Sequence, residues 1–241
     1  MVRMYLIRHG KTRFNTIGRA QGWCDSPLTA AGKERVRALG RGLKAAGLKF
    51  DAAYSSDMGR TIETMTDIMM EFQPENEIEY RRDERIREWC FGSMDGAFDS
   101  EAFGVLPRTS AFDHLGDPEQ ATYKDLANAI YEVDTAGWSE NYEDLANRVH
   151  GGFMDILKQA EAAGHENIIV VSHGMTIGLF LWLVDNESRN NQILNASVSI
   201  VDFKAGKLSV DRHGDTSYID RGLELPPNEI EKEKLNIKMI L

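Results

Sequence analysis

Val2-Arg3-Met4-Tyr5-Leu6-Ile7 runs directly into Arg8-His9-Gly10, and far downstream Ile168-Ile169-Val170-Val171 runs into Ser172-His173-Gly174. Each is a short apolar run closed by a turn signal, the pattern of a buried strand. Strand ends in open α/β sheets are where ligands sit, and glycine there lets backbone amides come close. Two histidines so placed point to one site built twice from the same part. Histidine is the side chain that can be neutral and nucleophilic near pH 7. Arg8 beside His9 points to an anionic substrate, and first of all to a phosphate. His114, His150, His165 and His213 lack this setting and read as structural or surface residues.

Outward from these runs the chain alternates strand and helix. A loop rich in Gly, Asn and Asp follows the first strand through Pro27, and Thr29 is placed to cap a helix reaching about Ala46. Phe50 to Ser55 reads as a strand, and Met58 to Phe72 as a helix with Ile62, Met65, Ile68, Met69 and Phe72 on its core face. Glu77 to Arg81 reads as a third strand. Residues from about 97 to 141 break the rhythm with Gly, Pro, Asp and scattered aromatics, an excursion with some helix (Tyr123 to Val133). Asn141 then opens a long helix to Ala163. A strand (Asn167 to Ser172), a buried helix (Thr176 to Val184), and a hairpin of Ala196 to Phe203 with Leu208 to Arg212 complete the pattern. The fold class is α/β: a mainly parallel sheet with helices on both faces, plus an insertion over the active site. Residues 1–241 read as one domain. After Pro226-Pro227 the tail, counted from about 222, alternates Glu and Lys with Ile and Leu, which predicts a final amphipathic helix. That helix would pack on the domain or on a second copy, leaving a homodimer open.

A formal net charge of −10 excludes a general nucleic-acid or anionic-membrane role, because no basic block is present to meet a phosphate backbone. An anion site must then be made by local placement of a few arginines. Met175 to Val184, the longest apolar stretch, is about half of what a membrane span needs, and no secretory signal opens the chain. Cys24 and Cys90 give neither metal spacing nor a disulfide framework, which points to a reduced, cytoplasmic setting. No spaced cluster suggests a metal, and no cofactor is implied.

Two further elements join the histidines. The second strand ends in Ser55-Ser56-Asp57, and the helix after it carries Arg60 near its amino end, with Thr64 one turn later. A helix amino end already presents unpaired amides and partial positive charge, and Arg60 adds a guanidinium to the same crevice. Glu88, in Ile86-Arg87-Glu88, precedes Phe91-Gly92-Ser93-Met94-Asp95-Gly96. A carboxyl buried beside an anion holds its proton more tightly, so it can donate to a leaving alkoxide and later take a proton from water.

Taken together, these residues resemble a known family. Arg8-His9-Gly10 with Thr12 and Asn15, then Gln21-Gly22, Asp25, Pro27-Leu28-Thr29 and Gly32, is similar to the opening signature of the histidine phosphatase superfamily, which includes cofactor-dependent phosphoglycerate mutase. Ser55-Ser56-Asp57 with Arg60 and Thr64, Ile86 with Glu88 and Gly92, and Ser172-His173-Gly174 resemble its later motifs in the same order. The resemblance spans residues 3 to about 218. It implies a phosphohistidine mechanism: His9 as nucleophile, Glu88 as proton donor, and Arg8, Arg60 and His173 on the phosphoryl oxygens. Asn15, Gln21, Gly22 and Gly174 fall at the positions that line the substrate side. The implied partner is a small phosphorylated molecule, with no metal.

The chain also departs from the mutases it resembles. They follow the acid with an arginine and, two residues on, a tyrosine, where this chain has Trp89 and Phe91. They carry a double-arginine, proline-rich stretch where this chain has Gly104 to Ser110, and an asparagine where it has Met175. A mutase must hold a carboxylate and two phosphates, so these losses favour a phosphomonoester hydrolase. A phosphoglycerate mutase or related phosphotransferase is the alternative, and a non-catalytic phosphate-binding module is a third.

Overall fold

A computed structural model describes residues 1–75, 77–186, 193–228 and 237–240. Its sheet follows from the apolar runs. β1 (Val2–Arg8) lies between β4 (Asn167–Ser172), parallel to it, and β5 (Val198–Lys204), antiparallel. β2 (Ala52–Ser55) extends the parallel side beyond β4, followed by β3 (Ile78–Arg82), while β6 (Lys207–Asp215) flanks β5. With β7 (Ile237–Ile240) on the far edge, the order is β6-β5-β1-β4-β2-β3-β7.

Side chains alternate across each strand, so the central strands are apolar on both faces. Val2, Met4, Leu6, Ile168 and Val170 pack under α5 (Tyr123–Val133), α6 (Tyr142–Ala162) and α7 (Gly174–Asp185). Tyr5, Ile7, Ile169 and Val171 face α2 (Ala30–Ala45), α3 (Gly59–Phe72) and α8 (Ser217–Leu223). The caps are those the sequence predicts: Thr29 Oγ1 accepts from Gly32 N at 2.9 Å, and Asn141 Oδ1 from Asp144 N at 3.0 Å. The hairpin joining β5 to β6 turns through Ala205 (φ 51°) and Gly206 (φ 77°), both left-handed, as a tight turn matched to strand twist requires.

Besides α5, the insertion holds a short helix, α4 (Asp99–Ala102). Two expectations change. The loop after β1 contains a short helix, α1 (Arg13–Ile17), which Thr12 and Asn15 close with a capping box. It buries none of its residues, so no apolar period announces it. The tail prediction is corrected where it can be compared. Ile237–Ile240 form a strand, not a helix, pairing parallel with β3 from Ile78↔Ile237 to Arg81↔Ile240. An edge strand left open exposes a row of unpaired backbone groups, and covering β3 outweighs the helical preference of four residues. The rest of the predicted helix, 229–236, lies outside the described residues.

Candidate active site

Register brings the two histidine motifs together. Arg8 of β1 is paired with Ser172 of β4, so the residues that follow, His9 and His173, leave adjacent strands side by side. His9 N donates to Ser172 O at 3.0 Å, and the two rings stand 5.3 Å apart, centre to centre. His9 Nδ1 lies 2.8 Å from Gly10 O. A carbonyl can only accept, so Nδ1 carries the proton and Nε2 keeps its lone pair. Gly10 N donates to Thr64 Oγ1 at 2.9 Å, which ties the turn after β1 to α3.

His173 caps the amino end of α7, with Nε2 2.7 Å from Ser56 Oγ at the end of β2. Both imidazoles are buried (3% and 0% exposed). For each, burial is the main reason its basicity falls well below the ordinary histidine range, and the Arg60 charge comes next. Arg8 adds to both effects, while the Gly10 carbonyl pulls His9 the other way. Two neutral rings therefore sit between two guanidinium groups.

The arginines are not equivalent. Arg60 is fully buried, and protein groups take all its donors: Nε donates to His173 Nδ1, Nη1 to Cys24 O and Asp25 Oδ1, and Nη2 to Gln21 O and Gly22 O. Arg8 donates from Nη1 to Ile193 O at 2.7 Å, but among the described residues its buried Nε has no hydrogen-bond partner. Gly174 makes room for it, because a Cβ there would stand 3.1 Å from Arg8 Cζ and Nε.

Glu88 lies across the amino end of α7. Its Oε1 accepts from Trp89 N and Thr176 N at 3.1 and 2.9 Å and shares with Arg87 O the one Thr176 hydroxyl proton, Oγ1 lying 3.0 Å away, and Oε2 accepts from Met175 N at 3.2 Å. Oε1 is crowded with donors, which leaves Oε2 as the oxygen suited to proton traffic. Of the neighbouring carboxylates, Asp99 lines the same cleft, whereas Asp95 and Glu84 are turned elsewhere. Asp95 accepts from Gly22 N and Trp23 N, with burial pushing its carboxyl up, and Glu84 is exposed.

Arg8, His9, Asn15, Gln21, Glu88 and Gly174 line one cleft of about 450 Å³. Arg60 and His173 lie behind that wall, and Gly22 does not reach the cleft; its N–H is held by Asp95 and its carbonyl by Arg60. Several lining residues were not singled out as site residues: Arg19, Asp99, Tyr123 and Ile193. Asn195, whose Nδ2 donates to His9 O at 3.1 Å and to Asn15 Oδ1 at 3.3 Å, was missed as well. They reach the site through tertiary folding and carry no local motif. Asp99, Phe103 and Tyr123 come from the 97–141 insertion, so that segment supplies part of the wall. Among the described residues no group of three or more His, Cys, Asp or Glu is placed to hold a metal ion.

The Histidine phosphatase superfamily (branch 1) model matches residues 4–216, and the chain belongs to that family. It is similar to "Probable phosphoglycerate mutase GpmB" of Salmonella choleraesuis (strain SC-B67), 29% identical over 233 residues that cover 91% of this chain and 96% of that protein. The crystal structure of phosphoglycerate mutase from Bacillus anthracis str. Sterne superposes with a TM-score of 0.86 at 30% identity, covering 92% of this chain and 96% of that one. Phosphoserine phosphatase from Entamoeba histolytica, in complex with 3-phosphoglyceric acid, shares the fold with a TM-score of 0.68 at 22% identity, covering 91% of this chain and 100% of that one. Phosphatase and mutase chemistry both fit the family.

Proposed function

We propose that the protein is a phosphomonoester hydrolase that works through a phosphohistidine on His9. The observation that carries this reading is the fixed tautomer of His9, whose Nδ1–H is held on Gly10 O and whose Nε2 lone pair is left at a cleft bordered by Arg8 and Glu88. Nε2 forms a bond to phosphorus in line as the bond from phosphorus to the leaving oxygen breaks, and Glu88 gives that oxygen its proton. Arg8, which lines the cleft, is the cation placed to meet a phosphoryl oxygen, where charge redistributes in the transition state. Gly10 O steadies the ring as it becomes cationic. A water then attacks phosphorus, the nitrogen–phosphorus bond breaks, Glu88 takes the water's proton, and inorganic phosphate leaves. Arg60 and His173 set the charge and the position of His9 from behind. A direct bond from Arg60 to the phosphoryl group requires it to exchange one of its present acceptors.

The wall favours a hydrolase over a mutase. Around the cleft stand Phe91, Phe103, Tyr123, Met175 and Ile193, with Asn15, Arg19, Gln21 and Asp99 as polar members. A mutase has to grip a carboxylate and a second phosphate as well, and beyond Arg8 the lining offers one cation, Arg19, with the carboxylate of Asp99 on the same lining. The substrate is then a small phosphomonoester. Among the described residues no helix is long and apolar enough to cross a membrane, and the free thiols of Cys24 and Cys90 support a cytoplasmic setting. Incubation with a panel of phosphorylated metabolites, without a bisphosphate primer, tests the reading. Phosphate release supports it, and primer-dependent interconversion of phosphoglycerates without net release establishes a mutase instead.

A further inference from the structure

We propose that Arg148, held by Glu140, is the positioning residue of Glu88, so that the end of the insertion acts on the proton-transfer step; this rests on the hydrolase reading above. The segment carrying Glu88 has little structure of its own. One 3-10 turn covers Glu84–Ile86, and no repeating structure follows until Gly92. Its backbone is instead fixed by side chains from other elements. Arg85 O accepts from Arg148 Nη1 at 2.8 Å, and Ile86 O from Ser172 Oγ at 2.8 Å. Arg87 O accepts from Thr176 Oγ1 at 2.8 Å and Arg148 Nη1 at 3.2 Å. Glu88 O accepts from Trp23 Nε1 at 3.0 Å and Arg148 Nη2 at 3.3 Å.

Arg148 thus reaches three of these carbonyls from α6, without lining the cleft. Its own plane is set by Glu140, whose two oxygens accept from Nε and Nη2 at 2.6 Å each. Both side chains are largely buried, at 14% and 19% exposed. A bidentate guanidinium–carboxylate pair of this kind fixes orientation as well as charge, and lysine cannot reproduce the planar fork. Glu140 ends the insertion, one residue before the Asn141 cap of α6. The path from insertion to acid is therefore Glu140 to Arg148 to the carbonyls of 85, 87 and 88. A displacement of about 1 Å at a reacting group costs up to roughly a hundredfold in rate.

The test is kcat/KM for an alkyl phosphate and an aryl phosphate in Arg148→Lys and Glu140→Gln, with circular dichroism and melting to confirm the fold. This parameter reports events through departure of the leaving group, and only the alkoxide needs the proton. The alkyl-to-aryl ratio should drop about ten- to a hundredfold in Arg148→Lys and less, in the same direction, in Glu140→Gln. Both variants should still form phosphoenzyme from the aryl phosphate. If Arg148→Lys does not fold, Glu140→Gln carries the comparison. An unchanged ratio in a folded variant, whether activity is lost equally or not at all, overturns the positioning role alone. Failure of the wild type to form any phosphoenzyme overturns the hydrolase reading and this inference with it.

Discussion

Arg60 Nε donates to His173 Nδ1 at 3.1 Å. Because a guanidinium only donates, Nδ1 of His173 must be bare, and its proton sits on Nε2, directed at Ser56 Oγ 2.7 Å away. A protonated His173 would turn an N–H toward Arg60 and set two cations face to face. The contact therefore keeps the second histidine neutral, next to a first histidine that Gly10 O holds in the opposite tautomer.

A stability profile follows from that pair. His9 and His173 are both held below the ordinary histidine range when folded, whereas the unfolded chain takes up their protons near pH 6.5. Below that pH the unfolded state binds more protons, so the stability is fully present above about pH 6.5 and is lost as pH falls toward the folded values. Each neutral ring contributes a slope of up to about 1.4 kcal/mol per pH unit. Denaturant titrations between pH 5.5 and 7.5 should show wild-type stability falling with acid, and a shallower slope in His173→Gln. Identical slopes would mean that His173 is not buried neutral.

Glu88→Gln keeps the shape and, through its amide oxygen, the bonds from Trp89 N and Thr176 N, but it puts an NH2 group where Oε2 accepts from Met175 N and has no proton to give. For alkyl phosphates kcat/KM should fall by roughly two to four decades, and for aryl phosphates, whose leaving group departs unprotonated, much less. Equal losses on both would assign Glu88 a structural role at the amino end of α7.

Gly174→Ala should weaken inhibition by inorganic phosphate. The new Cβ stands 3.1 Å from Arg8 Cζ and Nε, so the guanidinium has to yield by a few tenths of an ångström. A rise in the phosphate inhibition constant of about fivefold is expected, equivalent to ~1 kcal/mol. No change would show that Arg8 does not meet the phosphate from this position.

Chelation should leave turnover intact, since arginine and histidine meet the phosphoryl charge in this mechanism. Activity abolished by EDTA and restored by zinc or magnesium would reassign the site.

Local sequence carried much of this. The apolar runs before His9 and His173 placed both at strand ends, and Thr29 and Asn141 announced their helices. Spacings of three and four marked the core face of α3, where Met65, Ile68, Met69 and Phe72 are buried. What was hidden depends on residues far apart in the chain. β7 exists because β3 needs a partner about 160 positions away, which helical periodicity cannot report. Asn195 reaches Asn15 across 180 positions, and Arg148 reaches Arg85 across 63. The family resemblance implies Arg60 as a phosphate ligand, whereas the fold commits its donors to Gln21, Gly22, Cys24, Asp25 and His173.

The central claim is the covalent intermediate on His9. The direct measurement is rapid quench of the wild type and His9→Ala with a radioactively labelled phosphate donor. Label on the wild type should be acid-labile and base-stable, map to the peptide containing His9, and turn over as phosphate appears. His9→Ala should fold, carry no label and lose four or more decades of activity, on the order expected when a nucleophile is removed. Full labelling of His9→Ala, or more than about a tenth of wild-type activity without it, would contradict the phosphohistidine mechanism.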